Sequence, residues 1–254
     1  MRITKLDDFQ SWMFEAGGKR IALDPWLTDV LTFPGGPWVF ERRRKDVPAY
    51  SPQSLPALDA LIISAHFGDH LHPETLQALS KDVPVFTTRQ AAPKLRQLGF
   101  GQVTSVAHDE VLPVGQSVSI RGIAPGFPYA ANALGFVLEE NATNQRLYFE
   151  AHTTNETQLT QLPQPITAMM TPVESVRIFG IQFSMDAARA LRSVQQVKPR
   201  VFLPTGIEPS RGTGLFGKTL LSCKGRLEDF SQALEQSKLE TRLENPRAGE
   251  FVDL

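Results

Sequence analysis

Three of the five histidines in this 254-residue chain, His66, His70 and His72, lie within a single run, Leu61-Ile-Ile-Ser-Ala-His-Phe-Gly-Asp-His-Leu-His-Pro-Glu-Thr-Leu76. The run reads as a buried strand, a tight loop and a helix opened by proline, with Asp69, His70 and His72 on the loop. Carboxylate and imidazole are ligands suited to zinc, manganese or iron, and neighbours on a loop can converge on one cation. A second group closes another apolar run, Leu147-Tyr-Phe-Glu-Ala-His-Thr153. Glu150 and His152 are two residues apart there and in a strand would point to the same side. The single cysteine, Cys223, rules out both an internal disulfide and a thiolate cage, so a metal would rest on histidines and carboxylates. The bland alternative for the same residues is a hydrogen-bonded polar cluster.

Strand-like runs that must position these groups recur at Arg20–Leu23, Ala60–Ser64, Val83–Thr87, Ser117–Ile123, Gly135–Glu139, Arg146–Glu150, Ala168–Thr171 and Arg200–Leu203. Helical periodicity is confined to Pro73–Lys81, Arg89–Leu98, Met185–Val197 and Arg226–Lys238. This order predicts two sheets covered by helices in a single domain, residues 1–254. The Pro- and Gly-rich stretch Phe33–Pro56 reads as a long excursion over one face, a lid or pocket wall, and its basic run Arg42-Arg43-Arg44-Lys45 as a solvated surface turn. Twenty-six Lys and Arg against 27 Asp and Glu leave a charge of -1, which argues against nucleic acid or an anionic membrane as partner. No apolar window approaches the roughly 20 residues of a membrane span, and no secretory leader opens the chain, so a cytoplasmic location is expected.

At the histidine-bearing loop the sequence resembles the metallo-β-lactamase-fold superfamily, whose signature is a strand followed by Thr/Ser-His-x-His-x-Asp-His. Here Ser64-Ala65-His66-Phe67-Gly68-Asp69-His70 keeps the Asp-His half and carries Ala65 and Phe67 at the two earlier histidine positions. The likeness continues in Ile21-Ala-Leu-Asp-Pro-Trp-Leu27, in Leu147–Thr153, which places His152 where the metal-bridging Asp would stand, and in Val201-Phe-Leu-Pro-Thr-Gly206, where Thr205 replaces a final His. The resemblance implies an α/β four-layer αββα sandwich with a reduced, mononuclear metal site. One divalent metal, zinc before manganese or iron, would be held by Asp69, His70 and His152, with His72 as a further ligand. Asp24, Glu150 and Asp69 are the catalytic candidates, Asp24 or Glu150 orienting the metal's water. The activity implied is metal-dependent hydrolysis of a small molecule. A non-catalytic member of the fold, binding a ligand or a protein in the same pocket, is the second reading.

A third reading comes from Gly212-Thr-Gly-Leu-Phe-Gly-Lys-Thr219, which satisfies the phosphate-loop pattern G-x-x-x-x-G-K-[ST]. Its surroundings lack the directly preceding strand and long following helix, so a Gly-rich surface loop without nucleotide affinity is expected. His108, beside Asp109 and Glu110, reads as an exposed turn residue. Trp26, Trp38 and Phe127-Pro-Tyr129 are candidates for an apolar pocket wall.

Overall fold

The structure is a computed structural model that describes residues 1–178, 181–206, 211–219 and 221–254. The chain begins with β1 (Arg2–Lys5), β2 (Trp12–Ala16) and β3 (Lys19–Leu23), followed by a hairpin of β4 (Val30–Thr32) and β5 (Glu41–Arg43). Next come β6 (Ala60–Ile63), α1 (Pro73–Ala78), β7 (Val85–Thr87), α2 (Ala92–Gln97) and β8 (Val103–Ser105). The middle of the chain holds β9 (Val111–Val114), β10 (Val118–Ile123), β11 (Gly135–Glu140), β12 (Gln145–Phe149), α3 (Glu156–Thr160), β13 (Ala168–Thr171), β14 (Ser175–Ile178) and β15 (Ile181–Gln182). It ends with α4 (Ala187–Val197), β16 (Val201–Pro204), β17 (Arg211–Thr213), α5 (Gly214–Thr219), β18 (Leu221–Lys224), α6 (Leu227–Gln236), β19 (Arg242–Leu243) and β20 (Phe251–Asp253).

Two seven-stranded sheets result, ordered β20-β1-β2-β3-β6-β7-β8 and β19-β16-β13-β12-β11-β10-β9. Alternation along the central strands explains the layers. Ile62, Phe136, Leu138, Phe149, Met170 and Leu203 meet in the core between the sheets. Their neighbours Leu61 and Ile63 face the other way and pack with Leu76 and Leu95 of α1 and α2. Val137, Tyr148, Met169 and Phe202 pack outward on Leu159, Val194 and Phe230 of α3, α4 and α6. Strands buried on both faces therefore read as unbroken apolar runs, and the architecture is the expected four-layer sandwich.

Parallel pairing sets the site. β3 pairs with β6, aligning Leu23 with Ile62, and β12 pairs with β13, aligning Phe149 with Met170. The ends of these strands meet at one rim, where the Leu134 N–H donates to the Ser64 carbonyl at 2.7 Å and joins the sheets.

Two expectations need correction. The stretch 33–56 is ordered around β5, which lies between β4 and β17 in a three-stranded sheet. Its basic run is a solvated turn only at Arg43 and Lys45, which are exposed: Arg42 is buried, and the Arg44 side chain is 2% exposed. Arg44 pairs with Asp7 at 2.9 Å and Asp8 at 2.7 Å and lies 3.9 Å from the centre of the Trp26 ring. Residues 212–219 are the end of β17 and the six-residue α5 rather than a loop. Gly214, at φ +77°, is required because a Cβ would come within 2.9 Å of the carbonyl oxygens of Pro37, Trp38 and Val39. The Leu215 N–H donates to the Trp38 carbonyl at 2.8 Å, so the motif's backbone is used in packing on the 37–39 turn.

Candidate active site

Asp24 follows β3 at φ +43°, a left-handed conformation that Asp tolerates better than most residues. That turn aims its carboxylate across to the end of β6. Oδ1 accepts the Ser64 N–H at 2.7 Å, and Oδ2 takes the Ser64 hydroxyl at 2.5 Å and His70 Nδ1 at 2.8 Å. Burial alone would keep His70 neutral, but Asp24 and Asp69 outweigh it and raise its pKa. Asp24 is itself fully buried, so it does not face a substrate water, contrary to the sequence reading; it fixes the imidazole of His70.

The second sheet repeats the arrangement. Glu150 Oε1 accepts the His152 N–H at 2.9 Å and lies 3.8 Å from His152 Nδ1. Gly135 is the residue that admits Glu150, since a Cβ there would stand 2.7 Å from Oε2. Glu150 is 1% exposed and lies behind His152, so it too supports an imidazole rather than lining the cavity. His152 Nδ1 and Glu150 Oε2 are buried without a hydrogen-bond partner. Burial lowers the His152 pKa, which favours the neutral, ligand-competent imidazole.

His70 and His152, contributed by different sheets, meet with ring centres 4.9 Å apart, and Asp69 Oδ1 is 4.0 Å from His70 Nε2. Burial opposes the charge on Asp69, but His70, Arg42 and His152 outweigh it and hold its carboxyl below its ordinary value. These three residues line a cavity of about 290 Å³ together with Gln10, Arg42 and Tyr129. Tyr129 stacks on His152 at 4.0 Å, and Phe67 packs edge-on against both, 6.2 Å from Tyr129 and 5.9 Å from His152.

His72 does not join them. It caps α1, with Nδ1 accepting the Thr75 N–H at 3.3 Å, and lines a different cavity with the exposed His66. Burial, aided by Arg44, pulls its pKa down to about 4. Thr205, at the position of the superfamily's final His, accepts the Trp12 indole N–H at 3.0 Å and is fully buried. Trp26 is buried under Arg44, and Trp38 is 71% exposed, so neither lines the cavity. His108 is exposed in its turn. Phe33, Phe40 and Arg42, from the stretch 33–56 read as a pocket wall, line the cavity. The sequence reading missed Gln10, whose amide donates to the Asp69 carbonyl at 2.9 Å, and Phe9 as a further cavity wall. Nothing local marks these two, since both lie more than 20 residues from the loop that they face.

The beta-lactamase superfamily domain matches residues 2–206. This chain is a member of that family. Among solved structures it superposes on a possible metal-dependent hydrolase from Veillonella parvula with a TM-score of 0.76 and 17% identity over 100% of this chain and 99% of that one. The isothiocyanate hydrolase from Delia radicum gut bacteria gives a TM-score of 0.75 and 16% identity, again over 100% and 99%. At these identities the likeness is one of fold. A metal-dependent hydrolase of Cupriavidus metallidurans is 30% identical over 135 residues, 51% of this chain, and the chain spans 40% of the length of that relative.

The donor chemistry of Asp69, His70 and His152 suits one cation bound through nitrogen and oxygen. Ala65, Phe67 and Thr205 bring no imidazole or carboxylate to the positions where the superfamily pattern carries histidines. Among the described residues no three His, Cys, Asp or Glu side chains are gathered tightly enough to enclose an ion as they stand. No helix among them is long and apolar enough to cross a membrane.

Proposed function

We propose that the protein is a hydrolase of a small molecule that uses one divalent cation, zinc before manganese or iron, held by Asp69, His70 and His152. The observation that carries this is the meeting of two imidazoles from separate sheets at 4.9 Å on the wall of a cavity. Each imidazole is backed by a buried carboxylate, Asp24 behind His70 and Glu150 behind His152. The hydrogen bond of His70 Nδ1 to Asp24 fixes the tautomer and raises the basicity of that ring, whereas Glu150, 3.8 Å from His152 Nδ1, supports its imidazole through charge. A bound cation of this kind supplies Lewis acidity and brings the pKa of its water towards about 7. The protein's own share is to aim the two imidazoles, to hold Asp69 charged, and to keep bulk water out with Phe67 and Tyr129. The metal-dependent hydrolase named among the relatives supports the same reading.

A second reading, a ligand-binding member without catalysis, is favoured by the absence among the described residues of three donors already closed around one point. Thermal melting separates the two. A cation that binds only the folded chain stabilises it by about 2.7 kcal/mol at 100 times its dissociation constant. The parent should melt higher with added zinc or manganese than with chelator, and His152→Ala should lose that gain. Equal shifts in both proteins would exclude His152 as a ligand, and no shift in either would leave the binding module as the function.

A further inference from the structure

Two cavities lie back to back beside the histidine-bearing loop. The first, about 290 Å³, holds Asp69, His70 and His152 on its wall, and the second, about 720 Å³, is bordered by Val30, Leu31, Leu71 and Lys94. Phe33 and Phe67 line both. We propose that the site takes an uncharged, apolar molecule, and that the rings of Phe33 and Phe67 form a partition that sets how long a molecule it accepts. This deepens the hydrolase reading and rests on it for the choice of site, whereas its test is one of binding.

The chemistry of the walls argues for an apolar occupant. Away from Asp69 and the two imidazoles the first cavity is bounded mainly by Phe9, Phe33, Phe40, Pro172, Val176 and Phe183. A charged ligand would give up its hydration against such rings without recovering it. An anion would in addition approach Asp69, with Asp24 and Glu150 buried behind the imidazoles. The Arg42 guanidinium lies over Phe9 at 4.8 Å and Phe40 at 5.8 Å, and its charge already acts on Asp69.

The partition follows from where the two rings sit. Phe33 closes the end of the β4–β5 hairpin, with its N–H donating to the Phe40 carbonyl at 3.1 Å and its ring 4.6 Å from that of Phe40. Its edge crosses Gly68, where a Cβ would touch the ring at 3.8 Å. Phe67, next along the loop, packs on His70 and His152 and belongs to the site itself. Phe33 makes no such contact and is half-buried, so it can be trimmed without disturbing the imidazoles. Removing its ring would open the small cavity into the large one.

The test uses naphthylamine, an uncharged fluorophore that brightens in apolar surroundings, displaced by a series of straight-chain alcohols from butanol to dodecanol. The parent should bind naphthylamine saturably at one site and naphthalenesulfonate far more weakly. Displacement should strengthen with chain length, then stop at a limit. Phe33→Ala should move that limit to longer alcohols and tighten dodecanol about tenfold, the worth of about two more buried methylenes. Phe33→Leu, a milder change, should fall between the two. Failure of the parent to bind naphthylamine, equal binding of the sulfonate, or an unchanged length profile in both variants would overturn the proposal. Length-limited binding by a parent whose melting does not respond to zinc or manganese would leave it standing and remove the hydrolase reading. A metal-dependent melting shift with an unshifted length profile would do the opposite.

Discussion

Three groups converge on the carboxylate of Asp24: the amide and hydroxyl of Ser64, and Nδ1 of His70. An asparagine side chain has one acceptor oxygen where the carboxylate has two, so Asp24→Asn leaves a buried donor unmatched. The expected cost is about 1–3 kcal/mol in a denaturant titration. Metal affinity in melting assays should also fall by about 10–100-fold, because the orientation of His70 is lost. Arg44 is the other residue whose role is set by what surrounds it. It bridges Asp7 and Asp8, donates to the Thr28 carbonyl at 2.9 Å and to that of Trp26, and is nearly sealed from solvent. Arg44→Ala would strand Asp7, itself fully buried, and should cost about 3–5 kcal/mol by chemical denaturation. A surface arginine would cost almost nothing, so this measurement discriminates between the solvated turn expected from the charge run and the buried latch.

Among the elements, those with strong local signals match the sequence reading. α4 carries Ala190, Val194 and Val197 on its buried face, starts at the Asp186 cap and ends before Pro199. The central strands match to within two residues because both faces are apolar. Elements without a local signal were missed: β1, with Arg and Lys among its four residues, and the three-stranded sheet that joins β4 and β5 to β17. Their pairing partners are distant, as with Arg211 opposite Arg43. β10 illustrates how such packing constrains sequence. A Cβ at Gly122 would lie 2.1 Å from the Ala107 carbonyl oxygen, a backbone atom with little room to retreat. Gly122→Ala should therefore destabilise by about 1–3 kcal/mol, and a melting temperature equal to the parent's would show that the 107–110 turn yields freely.

For the whole molecule, the sheets are joined at the end remote from the cavity by Glu140. Its carboxylate accepts the Gly17 N–H from the β2–β3 turn, the Thr143 hydroxyl at 2.5 Å, and lies 3.6 Å from the N-terminal ammonium. Burial would raise its pKa, but these partners outweigh it and lower the value below the ordinary 4.5. The sign follows: the unfolded chain takes up this proton first as pH falls, so the latch contributes fully above about pH 5 and is lost progressively below. Glu140→Gln should lower stability at neutral pH and flatten the fall in stability as the pH drops below about 5. Parallel stability curves for the two proteins across that range would remove Glu140 from the account.

The sequence by itself determined the layered fold, because apolar runs of strand length and four periodic helical stretches admit few ways to bury both faces of a sheet. The residues alone marked Asp69, His70, His72, Glu150 and His152 as histidines and carboxylates at strand ends, and the resemblance to the superfamily put Asp69, His70 and His152 first among the proposed ligands. What it could not determine is the direction of those side chains. Asp24, Glu150 and His72 were marked by the same residue types, yet packing turned the first two behind the imidazoles and the third into a helix cap. The cavity walls are likewise products of tertiary structure, with Phe9, Phe40 and Phe183 drawn from three separate stretches of the chain. The physical reason is one of range. Periodicity and turn chemistry mark a residue by its type and its neighbours, whereas which atom faces a cavity is set by the partners that packing brings to it, as Ser64 and His70 are brought to Asp24 from 40 and 46 residues along the chain.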